Sequence, residues 1–484
     1  MHPLRNHGNF YSPAEAVSGS AVIIERRWYF MSFLVKDKRF YGTFFSMTGI
    51  IALQNLITFA VNLADNVMIG GYHQDALSGV ALVNQIQFLL QMIITGVGNG
   101  IAVLGAQYWG KQQQEPIRRV TSIGMILGLG LSLLLTVLAR CFPRQILALL
   151  TNEQAVIDQA VQYLKIVCFS YVLFAVTNVL LASLRSVETV KIGFVVTLGA
   201  LVTNIILNYA LIYGRLGFPE MGVQGAAVAT LISRILEFSI VVVYTLFIDR
   251  KIQWKPSDMF HPDRELFKDY IHVGMPVILS SSIWGIAMGV QTAILGRLGS
   301  ATIAANSIAT TLFQVVSVGA YASASSTSVI IGKTVGQGKT DQLKSYVQTL
   351  QLIYLGIGLV TGSIFWLSRK FILSLYSITP ETYDLATQFI AVLSVTVIGS
   401  SYQVACLSGI VTGGGDTKFV LYNDFIFQWL IVLPLAFLSA FVFHFPLWVT
   451  FVCLKCDQIL KCIVAFVKVN RYGWIRVLTR DSAV

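Results

Sequence analysis

Charged residues are scarce in this sequence. Of its 484 residues only 12% are Asp, Glu, Lys or Arg, whereas 55% are hydrophobic. A soluble globular domain carries roughly 25% charged residues, so the composition excludes an ordinary soluble protein. Apolar stretches of about 20 residues, long enough to cross the hydrocarbon core of a bilayer, recur along the whole chain. We therefore predict an all-α polytopic membrane protein.

Enzyme motifs are also missing. H-E-x-x-H, G-x-S-x-G and paired aspartate-rich boxes do not occur, so the usual intramembrane hydrolase and prenyl-transfer sites are absent. "GKTVGQGKT" at 332–340 resembles a phosphate loop, but five residues instead of four separate Gly332 from Gly338, and no strand precedes it. We expect no nucleotide partner, and an intramembrane enzyme is the least favoured alternative.

Cysteine is rare, and its positions indicate no metal or cofactor site. Cys453 and Cys456 form a C-x-x-C motif, but no second ligand pair with zinc spacing accompanies them. The net charge of +11 would suggest nucleic acid for a soluble chain. Here the basic residues lie in short loops between apolar stretches, so we expect no nucleic-acid partner. Residues 1–30 lack the apolar region of a signal peptide, and Met31 offers an alternative start to Met1.

The hydrophobic pattern predicts twelve transmembrane helices in two six-helix lobes. The spans are predicted at 43–70, 76–105, 119–140, 156–182, 190–213, 222–248, 267–296, 301–331, 346–367, 384–411, 419–442 and 447–467. The longest internal polar stretch, 249–266, is the expected linker between the lobes. The predicted division is an N-terminal tail at 1–42, an N-lobe at 43–248, this linker, a C-lobe at 267–467 and a C-terminal tail at 468–484.

Basic residues are distributed unevenly between the two sides of these spans. Twenty-four Lys and Arg residues lie in the tails and loops of one side, and six lie on the other. Because cytoplasmic loops hold the excess of Lys and Arg, both termini are expected in the cytoplasm. We predict a multi-pass protein of the plasma membrane.

The two halves also repeat. Gly49 and Gly71 of the first half recur 225 residues later as Gly274 and Gly296. Since each half has an even number of spans, the repeats share one orientation and are related by a pseudo-two-fold axis along the membrane normal. Solute sites are then expected in or between the lobes.

Polar residues at membrane depth are the main functional candidates, because each costs a few kcal/mol at a helix centre. In the first span Asn62, Asp65 and Asn66 have the spacing i, i+3 and i+4, which places them on one helix face. In the fifth span Asn204 and Asn208 are i and i+4. Asp65 is the only carboxylate among them.

Depth counting predicts that some of these groups meet. At ~1.5 Å per residue, Asp65 and Asn208 lie about 9 Å below the outer ends of their spans, Thr230 of the sixth span about 12 Å and Asn204 about 15 Å. One carboxylate with three neutral oxygen donors suits a proton or a small hard cation such as Na⁺. Alternatively, the asparagines only hold helices together.

Other charged residues in or near the spans have simpler interpretations. Arg234 and Glu237 are i and i+3, which is typical of an ion pair within one helix. Asp424 and Lys455 are expected near the inner interface, where their side chains can snorkel. Asp416 in "GGGDTK" is interpreted as a turn residue between the tenth and eleventh spans.

Several segments resemble one family, the multidrug and toxic compound extrusion (MATE) transporters of the bacterial NorM-like type. The segments are "NLADNVMIGG", "AQYWGK", "LRSVETVK", "NIILNYALIYGRLGFPEMGVQGAAVATLISR", "GMPVILSSS" and "TGGGDTK". With the duplicated twelve-span plan, the likeness covers roughly residues 40–470.

The resemblance implies a V-shaped cavity between the lobes that opens alternately to each side and exports drugs in exchange for H⁺ or Na⁺. Its first-span acid matches Asp65, and its N-lobe cation residues match Asn204, Asn208 and Thr230. NorM-like members carry a seventh-span glutamate where this chain has Trp284, while Asp416 matches their acid after span ten. This departure favours coupling in the N-lobe, with Asn62, Asn66, Trp284 and Asp416 as candidate cavity-lining residues.

The resulting hypothesis is a cation-coupled multidrug antiporter. We expect amphiphilic, cationic organic compounds as substrates, no cofactor, no metal other than Na⁺ as coupling ion, and a monomer in the lipid bilayer. The rival within transporters is a flippase for lipids or lipid-linked oligosaccharides, which the wider superfamily includes.

Overall fold

A computed structural model describes residues 34–71, 74–151, 153–260, 263–374 and 378–480. Met31 and most of the predicted N-terminal tail lie outside these ranges. Within them the chain is built from helices, and its only β-type pairing is an isolated bridge between Gly415 and Ile475. The prediction of an all-α protein is confirmed.

Twelve helical segments follow one another at the places predicted for the spans. They are α1 (Lys38–Gly70), α2 (Gln74–Gly110), α3 (Gln114–Cys141), α4 (Gln154–Val167 and Ser170–Ser186), α5 (Lys191–Ile212), α6 (Gly222–Ile248), α7 (Arg264–Gly296), α8 (Ser300–Gly336), α9 (Thr340–Leu373), α10 (Pro380–Val411), α11 (Thr417–Val442) and α12 (Leu447–Lys455 and Asp457–Asn470). Ten of these described segments are individually long and apolar enough to cross a membrane, and the two pieces of α4, bent by 53°, do so together. The last segment, α12, is interrupted at Cys456 and carries charged residues on both sides of the break.

Local sequence signals explain where several of these helices begin. Asp37 precedes α1 and accepts a hydrogen bond from the backbone of Arg39. Asp263 caps α7, and Thr379 caps α10 with Pro380 in the first turn. These side chains satisfy backbone N–H groups that have no partner inside the helix. Several helices also extend past the apolar stretches: α9, predicted at 346–367, begins at Thr340 and ends at Leu373.

The two halves of the chain pack in the same pattern. In the N-lobe (α1–α6) the pairs are α1 with α5, α2 with α4, and α4 with α6. In the C-lobe (α7–α12) the corresponding pairs are α7 with α11, α8 with α10, and α10 with α12. Each lobe thus buries its helices by the same contacts, as a duplicated arrangement requires. Between the lobes, α2 packs against α7 and α8, and α1 packs against α8.

The lobes approach most closely where α2 and α8 end. A Cβ atom on Gly336 would overlap the backbone carbonyl of Gln107, and one on Gly110 would overlap the carbonyl of Lys333. Only glycine at these positions permits such close helix contact. Lys333 also forms an ion pair across the lobes with Glu188, at 2.8 Å. We call this end of the bundle, marked by Gly110 and Gly336, the closed end.

Residues 471–480 cross the closed end as a strap. The Gln107 amide donates to the carbonyl of Arg476 at 3.1 Å and accepts from the backbone N–H of Leu478 at 2.8 Å. Arg480 forms ion pairs with Asp269, at 2.6 Å, and with Glu265 at the start of α7. The strap therefore contacts both lobes.

The carboxylate of Asp416 anchors this strap. It is 2% exposed and binds Lys468 at 2.7 Å and Arg476 at 2.8 Å. We expect Asp416→Ala to destabilise the folded protein by about 2 kcal/mol, since it removes a buried carboxylate that forms two ion pairs and leaves their basic partners without it. Thermal unfolding of the purified protein measures the effect.

The matched control is Asp158→Ala, which breaks the Arg144–Asp158 pair. That pair has a similar distance, 2.7 Å, but its side chains are 67% and 53% exposed. Exposed pairs contribute little to stability, so equal losses in the two variants would contradict an anchoring role for Asp416.

Candidate functional site

The carboxylate of Asp65 lies between α1 and α5. The side-chain amide of Asn208 donates to Asp65 Oδ1 and also to Asn204 Oδ1, the latter at 3.1 Å. Both asparagines are buried, with 0% and 1% of their surfaces exposed. The structure therefore joins three of the four predicted coupling residues in one hydrogen-bonded chain.

Contacts on either side of this chain fix α5 against α1. Near one end Gly193 approaches the Gln54 side chain so closely that a Cβ atom would crowd it. Near the other, the Tyr213 hydroxyl donates to the carbonyl of Met68 at 2.7 Å. Because α5 is held above and below, Asn208 is presented to Asp65 by two packed helices instead of by a loop.

Thr230, the fourth predicted residue, is buried on α6 next to the hydroxyl of Tyr163. Tyr163 and Arg234 lie within electrostatic range of Asp65. Arg234 pairs with Glu237 at 2.7 Å, as its spacing predicted, and stacks over the Phe174 ring at 4.9 Å. Its charge is thus already shared with a carboxylate of its own helix.

The amide of Asn208 gives the cluster two possible functions. Its Nδ2 atom donates to the carboxylate, whereas its Oδ1 atom is buried and accepts no hydrogen bond from the described residues. Turning the amide by half a rotation would present that oxygen instead of the N–H group. The same side chain can therefore stabilise a bare carboxylate or help to ligate a cation bound to it.

The candidate cavity-lining residues occupy different environments. Asn62 and Asn66 are exposed on α1, and no hydrogen bond joins either to Asp65 in the described part of the chain. Trp284 is half-buried on α7. Asp416 does not have the cavity-lining position expected for it, because its carboxylate is buried against Lys468 and Arg476 at the closed end.

A second buried polar cluster lies in the C-lobe and was missed by the sequence interpretation. Lys461 on α12 forms ion pairs with Asp424 and Asp457, and Lys455 donates to Gln291 at 3.1 Å. The snorkelling interpretation of Lys455 and Asp424 is wrong, because both side chains have partners inside the bundle. One feature of the sequence could have predicted this cluster: Asp457 and Lys461 have the spacing i, i+4 within one apolar stretch, which places them on the same helix face.

Within the described ranges, the structure has no cluster of His, Cys, Asp and Glu that would hold a metal ion. The six cysteines, Cys453 and Cys456 among them, are free thiols. The Asp65 carboxylate itself accepts its hydrogen bond from a side-chain amide, that of Asn208.

Comparison with known proteins agrees with this architecture. The chain is 24% identical to the "Probable multidrug resistance protein NorM" of Thermotoga maritima, over 88% of this chain and 92% of the relative. It is 27% identical to the protein of the same name from Rhizobium meliloti, over 88% and 91%. A solved structure described as the "outward-facing conformation of a multidrug resistance MATE family transporter of the MOP superfamily" superposes with a TM-score of 0.81 at 19% identity, covering 89% of this chain and 95% of that one.

The match to a family model is the most direct evidence. The model named MatE aligns with residues 51–210 and 276–438, which are the corresponding parts of the two lobes. The aligned ranges include Asp65, Asn204 and Asn208 and leave out the linker and both tails. The chain therefore belongs to the MatE family of membrane transporters.

Proposed function

We propose that the protein is a secondary active multidrug efflux transporter that exchanges H⁺ or Na⁺ for amphiphilic, cationic organic compounds across the plasma membrane. Family membership and the names of the NorM relatives support efflux of drugs. The observation that carries the coupling proposal is the environment of Asp65. It forms no ion pair with any described residue, whereas Glu237, Asp424 and Asp457 each pair with a basic side chain.

An acid without a resident counter-charge is a suitable coupling site. In its bare form Asp65 is stabilised by the Asn208 N–H group, and in its occupied form by a proton or by Na⁺ with amide and hydroxyl oxygens around it. Occupancy changes the local charge by one unit at membrane depth. Such a change biases a two-state transporter only if the two states differ in their affinity for the ion.

Alternating access requires a second conformation, and separation of the two lobes at the closed end would produce it. The count of Lys and Arg by loop favours a cytoplasmic position for this end, and its close packing then supports an outward-facing state. We place the boundary between the lobes in the linker, 249–266, with both termini on the cytoplasmic side. Ion binding at Asp65 from outside, followed by separation of Gly110 from Gly336, would open the inner side for the drug.

Reconstitution into proteoliposomes tests the proposal. Ethidium movement is measured with an imposed proton gradient and, separately, with an imposed sodium gradient. We expect at least one of the two gradients to drive ethidium against its concentration, because either ion can neutralise the Asp65 carboxylate. The transport proposal fails if neither gradient moves ethidium, and movement of a fluorescent lipid in its place would favour the flippase.

A further inference from the structure

The strap at residues 471–480 is built into the C-lobe. The Trp474 side chain is fully buried and donates to the carbonyl of Val469 at 2.9 Å. It lies so close to Gly414 that a Cβ atom there would overlap its ring. The backbone N–H of Arg476 donates to the carbonyl of the same glycine at 2.8 Å. Because a buried tryptophan and a backbone hydrogen bond hold this part of the strap, it must move with the C-lobe.

The strap reaches the N-lobe at the end of α2. Its backbone provides both hydrogen bonds of the buried Gln107 amide, through the carbonyl of Arg476 and the N–H of Leu478. The hydroxyl of Tyr108 accepts a longer hydrogen bond, of 3.4 Å, from the backbone N–H of Arg480. Among the described residues no ion pair joins the strap to the N-lobe, whereas its basic side chains pair with acids of the C-lobe. The polar attachment to the N-lobe is therefore centred on one amide.

Gln107 is also the residue at which the two lobes touch. Its backbone carbonyl is the group that a Cβ atom on Gly336 of α8 would overlap. When α2 moves away from α8, Gln107 leaves the C-lobe, but the strap stays bound at Gly414. The two hydrogen bonds between the Gln107 side chain and the strap must then break, and breaking them opposes the separation of the lobes.

We propose that the strap is a latch for the closed end. It moves with the C-lobe, and the lobes separate only after its backbone has left the Gln107 side chain. While the strap is bound, it stabilises the state in which α2 and α8 are in contact. The inference rests on the alternating separation of the lobes proposed above, and on neither the coupling ion nor the transported compound.

Gln107→Leu tests the latch from the α2 side. Leucine has a similar size but leaves the strap's carbonyl and N–H groups without partners while the lobes are in contact. We expect amide hydrogen exchange in peptides around Gly110 and Gly336 to become roughly tenfold faster, because exchange reports the population of the opened state. Peptides around Met68 and Tyr213, at the opposite end of the N-lobe, should exchange as in the unmodified protein, which separates opening from unfolding.

Arg480→Ala is the matched control. It breaks the ion pairs of the strap with Asp269 and Glu265, which both lie on α7. Since α7 and the strap belong to the same lobe, these pairs persist when the lobes separate. We expect exchange at the closed end to stay at the unmodified level in this variant. Equal acceleration in Arg480→Ala and Gln107→Leu would contradict a release point at Gln107.

Removal of residues 476–484 tests the latch from the side of the strap. It deletes both backbone groups that bind the Gln107 amide and should accelerate exchange at the closed end as Gln107→Leu does. Adding Gln107→Leu to the shortened chain should cause little further change, because the effects of groups in contact are not additive. A second increase of the same size would show that Gln107 acts within α2 and not through the strap.

A folding failure of the shortened chain leaves a second strap variant. Leu478→Pro lacks the N–H group that the Gln107 oxygen accepts, and we expect it to accelerate exchange at the closed end. Unchanged exchange in both Gln107→Leu and Leu478→Pro overturns the proposal. The measurement uses the purified protein without a drug or an ion gradient, so its outcome is independent of whether ethidium is transported.

Discussion

Replacing Asp65 with Asn is expected to abolish gradient-driven ethidium efflux while leaving the protein folded in the membrane. The substitution conserves shape, and the new amide oxygen can still accept the hydrogen bond from Asn208. It cannot exchange a proton or balance Na⁺. Each net positive charge that moves inward across about 100 mV supplies about 2.3 kcal/mol, and this driving energy is lost. Accumulated ethidium is measured in energised cells or proteoliposomes.

Thr58→Ala is the control for this experiment. Thr58 lies about two turns away on the same helix, and its hydroxyl donates to the backbone carbonyl of Gln54 in that helix, at 3.0 Å. We expect efflux close to that of the unmodified protein. Efflux at the unmodified level in Asp65→Asn would instead exclude Asp65 as the coupling residue.

Gly336→Val is expected to prevent the closed end from closing and so to suppress transport. The new side chain would overlap the carbonyl of Gln107, and backbone cannot yield as a flexible side chain would. Overpacking of this kind costs about 1–3 kcal/mol, and 1.4 kcal/mol changes an equilibrium tenfold. The population with α2 and α8 in contact should fall by roughly ten- to a hundredfold. Faster amide hydrogen exchange in peptides around Gly110 and Gly336 would report the separation.

Gly356→Val provides the matched control, because Gly356 is also a helical glycine but faces open space. The two substitutions have similar effects on helix propensity. They differ because the new side chain would overlap the Gln107 backbone at position 336 and would face open space at position 356. Equal losses of efflux in both variants, or unchanged exchange at the closed end in Gly336→Val, would contradict a role for this contact in closure.

The helices were predictable because their signal is local. A span needs about 20 apolar residues, and such a stretch is visible without knowing its neighbours. The approach of Asp65 to Asn208 was also within reach, since both residues lie at equal depth in their spans and polar groups in a bilayer seek partners. Depth alone cannot say which helices are adjacent, so the contact of Thr230 with Tyr163 was not foreseen.

The C-lobe cluster shows where sequence interpretation fails. Lys455 and Asp424 were assigned to the interface because long charged side chains usually extend to water. That assignment considers each helix separately, whereas Lys461 and Asp424 come from different helices and neutralise one another. Asp416 presents the same difficulty, because Lys468 and Arg476 lie more than fifty residues further along the chain.

The strap at residues 471–480 has a consequence for how the protein is made. It follows α12 in the chain, yet it binds Gln107 of the N-lobe and Asp269 of the C-lobe. During synthesis the earlier parts of a chain fold first, so both lobes enter the membrane before the ribosome has released the segment that ties them together. Newly inserted lobes are therefore held by their linker and their mutual packing until the strap has been synthesised and adds its contacts to both.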